Sequence, residues 1–321
     1  MATTTTPEII IKANGVTKKL GGQVAVQDLT FEIPRGIVFG FIGPSGAGKT
    51  TTIRLLTGIY EATAGELRVL GRKPSFFTRR DREKIGYMAQ LFNLYPDLTV
   101  WENLNFAASL YGMSPLRGKR LNELLDFVEL KEHKSKRASE LSGGMQRRLN
   151  LAATLVHNPE LIFLDEPTAG IDPILRQKLW ETFRRLRDEG RTLFITTQYM
   201  GEAVYCDLIG VLAEQHVIQV DTPQGLRHTA FGGDVIDLVA EENLSYPQVQ
   251  ELRQLSFVRK LTRLAGDNAV RIVVDDAGSA IPALTDWAHE HNLTIQSIEE
   301  FMPPFDEVFV ALIQQREQAH A

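Results

Sequence analysis

The chain has 321 residues, 43% hydrophobic and 23% charged, with a formal net charge of −5. This is an ordinary composition for a folded protein with a real core, long enough for two domains, and the negative balance argues against a nucleic-acid partner. The single cysteine, Cys206, excludes an internal disulfide and suits a reducing compartment. No run of about 18 apolar residues is present, so no transmembrane helix is expected. The start, Met1 to Pro7, lacks the basic and apolar regions of a secretory signal. A cytoplasmic location is the expectation.

In chain order, residues 8–33 read as two strands turning at Gly21-Gly22. Gly36 to Ile42 is a short apolar run, read as a buried strand, and Thr52 to Leu56 has helical spacing. Glu66–Gly71 and Lys84–Gln90 read as further strands. From Thr99 to about Leu130 the apolar period becomes helical, and a helix follows Ser142. These segments make a helical insert over about 98–156. Leu161-Ile162-Phe163-Leu164 is fully apolar, as in a strand buried on both faces of a parallel sheet. A helix from Pro173 to Asp188 and strands at 192–196, 208–212 and 217–220 complete an alternating α/β pattern.

Past Gly232-Gly233 the chain restarts. Strand, helix, strand pair, helix, strand and helix give a small α+β unit in ferredoxin-like order. From Gly233 onward there are 6 basic and 15 acidic residues, a balance of −9, against 29 and 25 before it, a balance of +4. The expected domains are therefore 8–228 and an acidic 233–314.

The chemistry begins at Gly43-Pro44-Ser45-Gly46-Ala47-Gly48-Lys49-Thr50-Thr51. Strand, glycine loop, Lys-Thr and helix form the context of a phosphate-binding P-loop. Glycines let backbone N–H groups turn inward around an anion, and the helix N-terminus adds partial positive charge. Lys49 can reach the outer phosphates and Thr50 can offer its hydroxyl to Mg²⁺. Asp165 ends the apolar strand, where ligands gather in open α/β sheets, and can hold the same metal. Glu166 can orient or deprotonate an attacking water.

The order of Gly43–Thr51, Gln90, Leu141-Ser142-Gly143-Gly144-Met145-Gln146, Leu161–Glu166 and Ala169-Gly170-Ile171-Asp172 resembles an ABC-type ATPase over roughly residues 8–228. Leu-Ser-Gly-Gly-x-Gln is the signature motif of that family. Leu164–Pro173, Gly201-Glu202-Ala203 and the tail Pro303–Phe309 are similar to the daunorubicin-resistance type, which exports drugs, lipids or polysaccharides. The resemblance implies an α/β P-loop NTPase core with ATP as substrate and Mg²⁺ as cofactor. It also implies a separate integral membrane permease, and a second ATPase protomer in a homo- or heterodimer. Two such domains trap ATP head to tail, so Ser142, Gly143, Gly144 and Gln146 of one face the P-loop of the other. Gln90 would ligate the metal and sense the γ-phosphate, and Asp172 would contact the opposite protomer. The chain would sit at the inner face of the membrane through its permease.

Two positions depart from the family. A histidine usual after the strand at 192–196 is replaced by Gln198. An amide can still donate to phosphate but cannot carry a proton's charge, so slower hydrolysis is expected. The aromatic that stacks on adenine is replaced by Leu20, which offers no π-face, so GTP is expected to compete. An ATP-gated switch that moves no solute is the alternative reading. This chain lacks both the tandem ATPase domains and the long coiled-coil insertion that would mark such switches.

Overall fold

The computed structural model describes residues 7–91 and 94–320. The threonine-rich start, apart from Pro7, lies outside them. The chain divides between Val220 and Asp221 into two compact units. The division falls before the expected limit of 228 because the helix Pro223–Phe231 packs against the C-terminal helix Phe305–His320.

In the first unit, β1 (Ile9–Leu20) and β2 (Gln23–Pro34) form an antiparallel hairpin. It turns through Gly21 and Gly22 at φ 56° and 84°, which glycine adopts without strain. The chain passes into β3 (Val38–Ile42) and α1 (Lys49–Leu56). It then forms β4 (Ala64–Val69), which pairs with β1 to complete the sheet β2-β1-β4. A short α2 (Arg79–Arg82), not anticipated from spacing, is started by a Thr78–Asp81 capping box before β5 (Ile85–Met88).

The helical insert contains α3 (Val100–Leu110), α4 (Gly118–Phe127) and α5 (Gly143–Leu155). A Thr99–Glu102 capping box sets the start of α3. The insert buries Leu104, Leu121, Leu125 and Leu149 fully. β6 (Leu161–Asp165), α6 (Pro173–Asp188), β7 (Thr192–Thr197), β8 (Leu208–Ala213) and β9 (His216–Asp221) follow. The second sheet has the order β5-β6-β7-β3-β8-β9, with β3 paired parallel to both β7 and β8.

Aromatic packing joins the two sheets. Phe31 of β2 lies 6.0 Å from Phe39 and 5.8 Å from Phe41 of β3 (ring centroids), and Phe194 of β7 lies 5.3 Å from Phe39. The apolar run of β6 is buried along its length, as its composition requires. This rigid base fixes the loops at the C-terminal ends of the parallel strands.

The second unit comprises α7 (Pro223–Phe231), β10 (Asp234–Ala240), α8 (Tyr246–Gln254), β11 (Val258–Arg263), β12 (Ala269–Val274), α9 (Ala277–Glu290), β13 (Ile295–Glu300) and α10 (Phe305–His320). Its sheet runs β11-β12-β10-β13 with antiparallel pairing throughout, the ferredoxin-like arrangement. Alternation decides its core: Ile236, Leu238, Val270, Ile272 and Val274 pack with Leu284 and Trp287 of α9. Asp237 and Arg271 meet across β10 and β12 in a two-pronged ion pair at 2.8 Å.

Candidate functional site

The loop after β3 lies where the connections to its two neighbours part, the place where open α/β sheets bind ligands. Two of its glycines are required by geometry. A Cβ at Gly43 would fall 2.1 Å from the carbonyl oxygen of Leu212. Gly48 has φ 109°, and a Cβ there would meet Val26 Cγ1 at 2.4 Å and the Ala25 carbonyl oxygen at 2.7 Å. Pro44 accepts from the Ala47 N–H at 3.3 Å, which curls the loop. No side chain caps the N-terminus of α1, so its first N–H groups are left for a ligand.

Lys49 is 4% exposed. Its Nζ donates to the carbonyls of Gly43 at 2.8 Å and Pro44 at 3.0 Å, and lies 3.2 Å from Glu166 Oε1. Two hydroxyls converge on one oxygen of Asp165. Thr196 Oγ1 donates to Oδ1 at 2.7 Å and Thr50 Oγ1 at 3.2 Å. The other oxygen, Oδ2, is buried and has no hydrogen-bond partner among the described residues. Burial pushes the Asp165 carboxyl above the usual aspartate range, and the two threonines oppose this.

Glu166 adopts φ 47°, the left-handed region that costs a non-glycine residue energy. Its N–H is held by the Thr196 carbonyl at 3.1 Å and by Thr196 Oγ1 at 3.0 Å. The carboxylate accepts from Gln90 Nε2 at 3.1 Å, and Gln90 Oε1 is uncommitted among the described residues. Gln198 is exposed just beyond β7.

Lys49, Thr50, Gln90, Glu166 and Gln198 share one cavity of about 350 Å³, which Asp165 and Thr196 do not themselves line. Ser45, Gly46, Gly48, Lys49, Thr50 and Thr51 line its floor, Gln90, Glu166 and Gln198 one flank, and Val24, Ala25 and Gln215 the rest. The donor set fits Mg²⁺, a hard cation that takes one or two carboxylates and hydroxyl or phosphate oxygens. The orphaned Asp165 Oδ2 and the Thr50 hydroxyl would hold it, with Gln90 Oε1 nearby.

The remaining expected residues lie elsewhere. Leu20, at the β1–β2 turn, is 38% exposed and does not line the cavity; Val24 and Ala25 of the next strand do. Ser142 Oγ caps α5 by accepting from the Met145 N–H at 3.3 Å, and Gly143 beside it is exposed. A Cβ on Gly144 would come within 2.2 Å of Leu175 Cδ2. Gln146 Nε2 donates to the Ala138 carbonyl at 2.9 Å, bracing the approach to α5. Asp172 Oδ1 caps α6 by accepting from the Leu175 N–H at 3.0 Å. None of these five lines the cavity.

Sequence reasoning missed three contributors. Thr196 was read only as part of a strand end. Arg147, buried on α5, donates to the carbonyls of Gln90 at 3.2 Å and Ala169 at 2.9 Å. It thereby ties the signature helix to the segments carrying Gln90 and Asp172. Gln215 had no motif to mark it; the signal available was only its place between two strands.

Comparison with known proteins points the same way. Residues 26–169 match the family described as ABC transporter. The chain is 38% identical over 239 residues to the probable multidrug ABC transporter ATP-binding protein YbhF of Escherichia coli (strain K12), a match covering 73% of this chain and 41% of that protein. It thus spans well under half the length of that relative. It is 32% identical to the linearmycin resistance ATP-binding protein LnrL of Bacillus subtilis (strain 168), covering 94% and 98% of the two chains. It is 34% identical to the daunorubicin/doxorubicin resistance ATP-binding protein DrrA of Streptomyces peucetius, covering 96% and 93%. A solved dimeric bacterial ABC transporter cassette superposes with a TM-score of 0.61 at 29% identity, covering 66% of this chain and 98% of that one.

Proposed function

The chain belongs to the ATP-binding subunits of the ABC transporter family, and we propose that it binds and hydrolyses ATP to drive a separate membrane permease in export. The observation that carries the catalytic part is the convergence on Asp165 and Glu166. Thr50 and Thr196 fix one oxygen of Asp165 and leave the other open. Lys49 and Gln90 hold Glu166 beside it.

In this reading the N–H groups of the Gly43–Thr51 loop and Lys49 bind the phosphates of ATP. Lys49 exchanges its contact with Glu166 for phosphate oxygens, which frees the carboxylate to accept a proton from water. Gln198 donates its amide to the γ-phosphate. Mg²⁺ held by Asp165 and Thr50 would supply neutralisation of the charge developing on the phosphates.

The cavity is open on one side, while the N-terminus of α5 with Ser142 and Gly143 is exposed elsewhere. One chain therefore carries both complementary halves of a closed site, so a second copy suffices to complete it. ATP then acts as the adhesive between protomers and hydrolysis releases them. Arg147 transmits the state of the Gln90 segment to α5.

Among the described residues no helix is long and apolar enough to cross a membrane. In this reading the membrane path belongs to a partner, which the helical insert around α3 contacts, and the chain works at the cytoplasmic face. The drug-resistance names of LnrL and DrrA support a drug-like solute as the cargo, within the wider drug, lipid or polysaccharide class that the sequence resemblance implies. The test is to isolate the tagged chain with its membrane partners and compare ATP turnover with and without them. Stimulation by a co-isolated integral membrane protein supports transport. Turnover indifferent to every membrane protein contradicts it.

A further inference from the structure

The strand order separates the two ends of the cavity. β7 and β8 lie on opposite sides of β3. Glu166 and Gln198 follow β6 and β7, on one flank of the P-loop. Gln215 sits in the β8–β9 connection, on the other. All line the same cavity. A nucleoside triphosphate with its terminal phosphate at Glu166 and Gln198 therefore runs its nucleoside toward the β8–β9 side. The lining there is Val24, Ala25 and Gln215, of which Gln215 alone has a polar side chain.

The connection is built to hold that residue in place. Glu214 and Gln215 have φ 49° and 64°, the two left-handed residues of a tight hairpin turn. The carbonyl of Gln215 accepts from the Gln27 N–H at 2.8 Å, fastening the turn to β2. Ala25, two residues earlier in β2, lies against Gly48 of the P-loop. The turn is thus in register with the phosphate site. Gln215 is half-buried, and among the described residues its side-chain amide has no hydrogen-bond partner.

We propose that Gln215 is the residue through which this chain contacts the nucleoside half of its nucleotide. The assignment rests on the ATPase reading above. The amide carries two donors and one acceptor group, enough to serve a ribose hydroxyl or a base edge. The contact gains weight here because Leu20 does not line the cavity, and Val24 and Ala25 offer the nucleoside no polar side chain.

The test uses the full chain and three ligands: ATP, GTP and inorganic tripolyphosphate, which has the phosphates without a nucleoside. Gln215→Gly removes the amide and keeps the turn, since glycine adopts this φ without strain. Gln215→Asn also tolerates the turn and withdraws the amide by one methylene. Binding is measured by titration calorimetry. Both variants are expected to bind ATP about tenfold more weakly, the worth of one hydrogen bond, with tripolyphosphate affinity unchanged. Equal loss for ATP and GTP identifies the ribose as the group contacted; unequal loss identifies the base. Unchanged ATP affinity in both variants overturns the assignment. So does an equal loss for tripolyphosphate, which would mean a shifted P-loop. A wild-type chain that binds neither ATP nor tripolyphosphate refutes the ATPase reading itself.

Discussion

Gln90 donates its side-chain amide to Glu166 at 3.1 Å, while Lys49 approaches the other oxygen of the same carboxylate at 3.2 Å. The group proposed to activate water is thus tethered from two sides. Its backbone is held in a strained left-handed conformation by Thr196. Removing the Gln90 tether lets the carboxylate wander. Gln90→Ala is expected to lower kcat by about 10–100-fold, the scale of a small misplacement of a reacting group. KM for ATP is expected to change little. Steady-state kinetics of the two proteins decide it, and an unaltered kcat counts against the tether.

Asp165 gives a stability effect with a definite sign. Burial raises its folded-state pKa above the ordinary value of 3.8. A raised value means that the folded state holds the proton more tightly. The resulting stabilisation is present below 3.8 and is lost as pH rises through the folded value. At neutral pH the ionised, desolvated carboxylate therefore costs stability. Asp165→Asn keeps an oxygen for Thr50 and Thr196 and removes that charge. The nucleotide-free variant is expected to melt at a higher temperature than wild type at pH 7, with the gap closing as pH falls through the folded value. Calorimetry across pH checks this. A variant less stable than wild type at pH 7 is the opposing outcome.

Arg147 links two segments through two carbonyls, those of Gln90 and Ala169. A lysine cannot span both, because it lacks the rigid fork of a guanidinium. Arg147→Lys is expected to cost about 1–3 kcal/mol of stability, the price of a buried carbonyl left unpaired. It is also expected to lower ATP turnover without weakening ATP binding, since Arg147 does not line the cavity. Melting curves and calorimetric titration together separate the two effects.

Much of this was legible from the residues in order. Glycine spacing located the P-loop because Gly43 and Gly48 sit where any Cβ would strike backbone. The apolar run 161–164 announced a strand buried on both faces, and the acidic residues after it announced the site. The helix Pro173–Asp188 was bounded by its own cap and proline. Buried cross-links were not legible. Arg147 is one more cation in a basic stretch until the fold brings two carbonyls to it. Thr196 is one more β-branched strand residue until β7 is set beside β6. Gln215 acquires meaning only from the sheet order. The family resemblance named the residues expected to touch phosphate, but long-range pairing assigns those that hold them.

Gln198 lines the same cavity as Glu166, with its amide uncommitted among the described residues. An imidazole there could carry positive charge near neutral pH, which an amide cannot. Gln198→His is expected to raise kcat at least about tenfold, with ATP affinity unchanged within about twofold. Turnover of the purified variant tells whether this position limits the rate. A histidine variant no faster than wild type means that it does not.

In the proposed function the cavity is half of a site, and a second copy closes it around ATP. Glu166→Gln removes the water-activating carboxylate and leaves Lys49, Thr50 and the loop in place, so bound ATP persists. The most direct measurement is the mass of this variant by light scattering, with and without ATP and Mg²⁺. A monomer is expected without nucleotide and a dimer with it, and that dimer is expected to be lost when Ser142→Arg blocks the exposed start of α5. A chain that binds ATP at full affinity yet remains monomeric would contradict it.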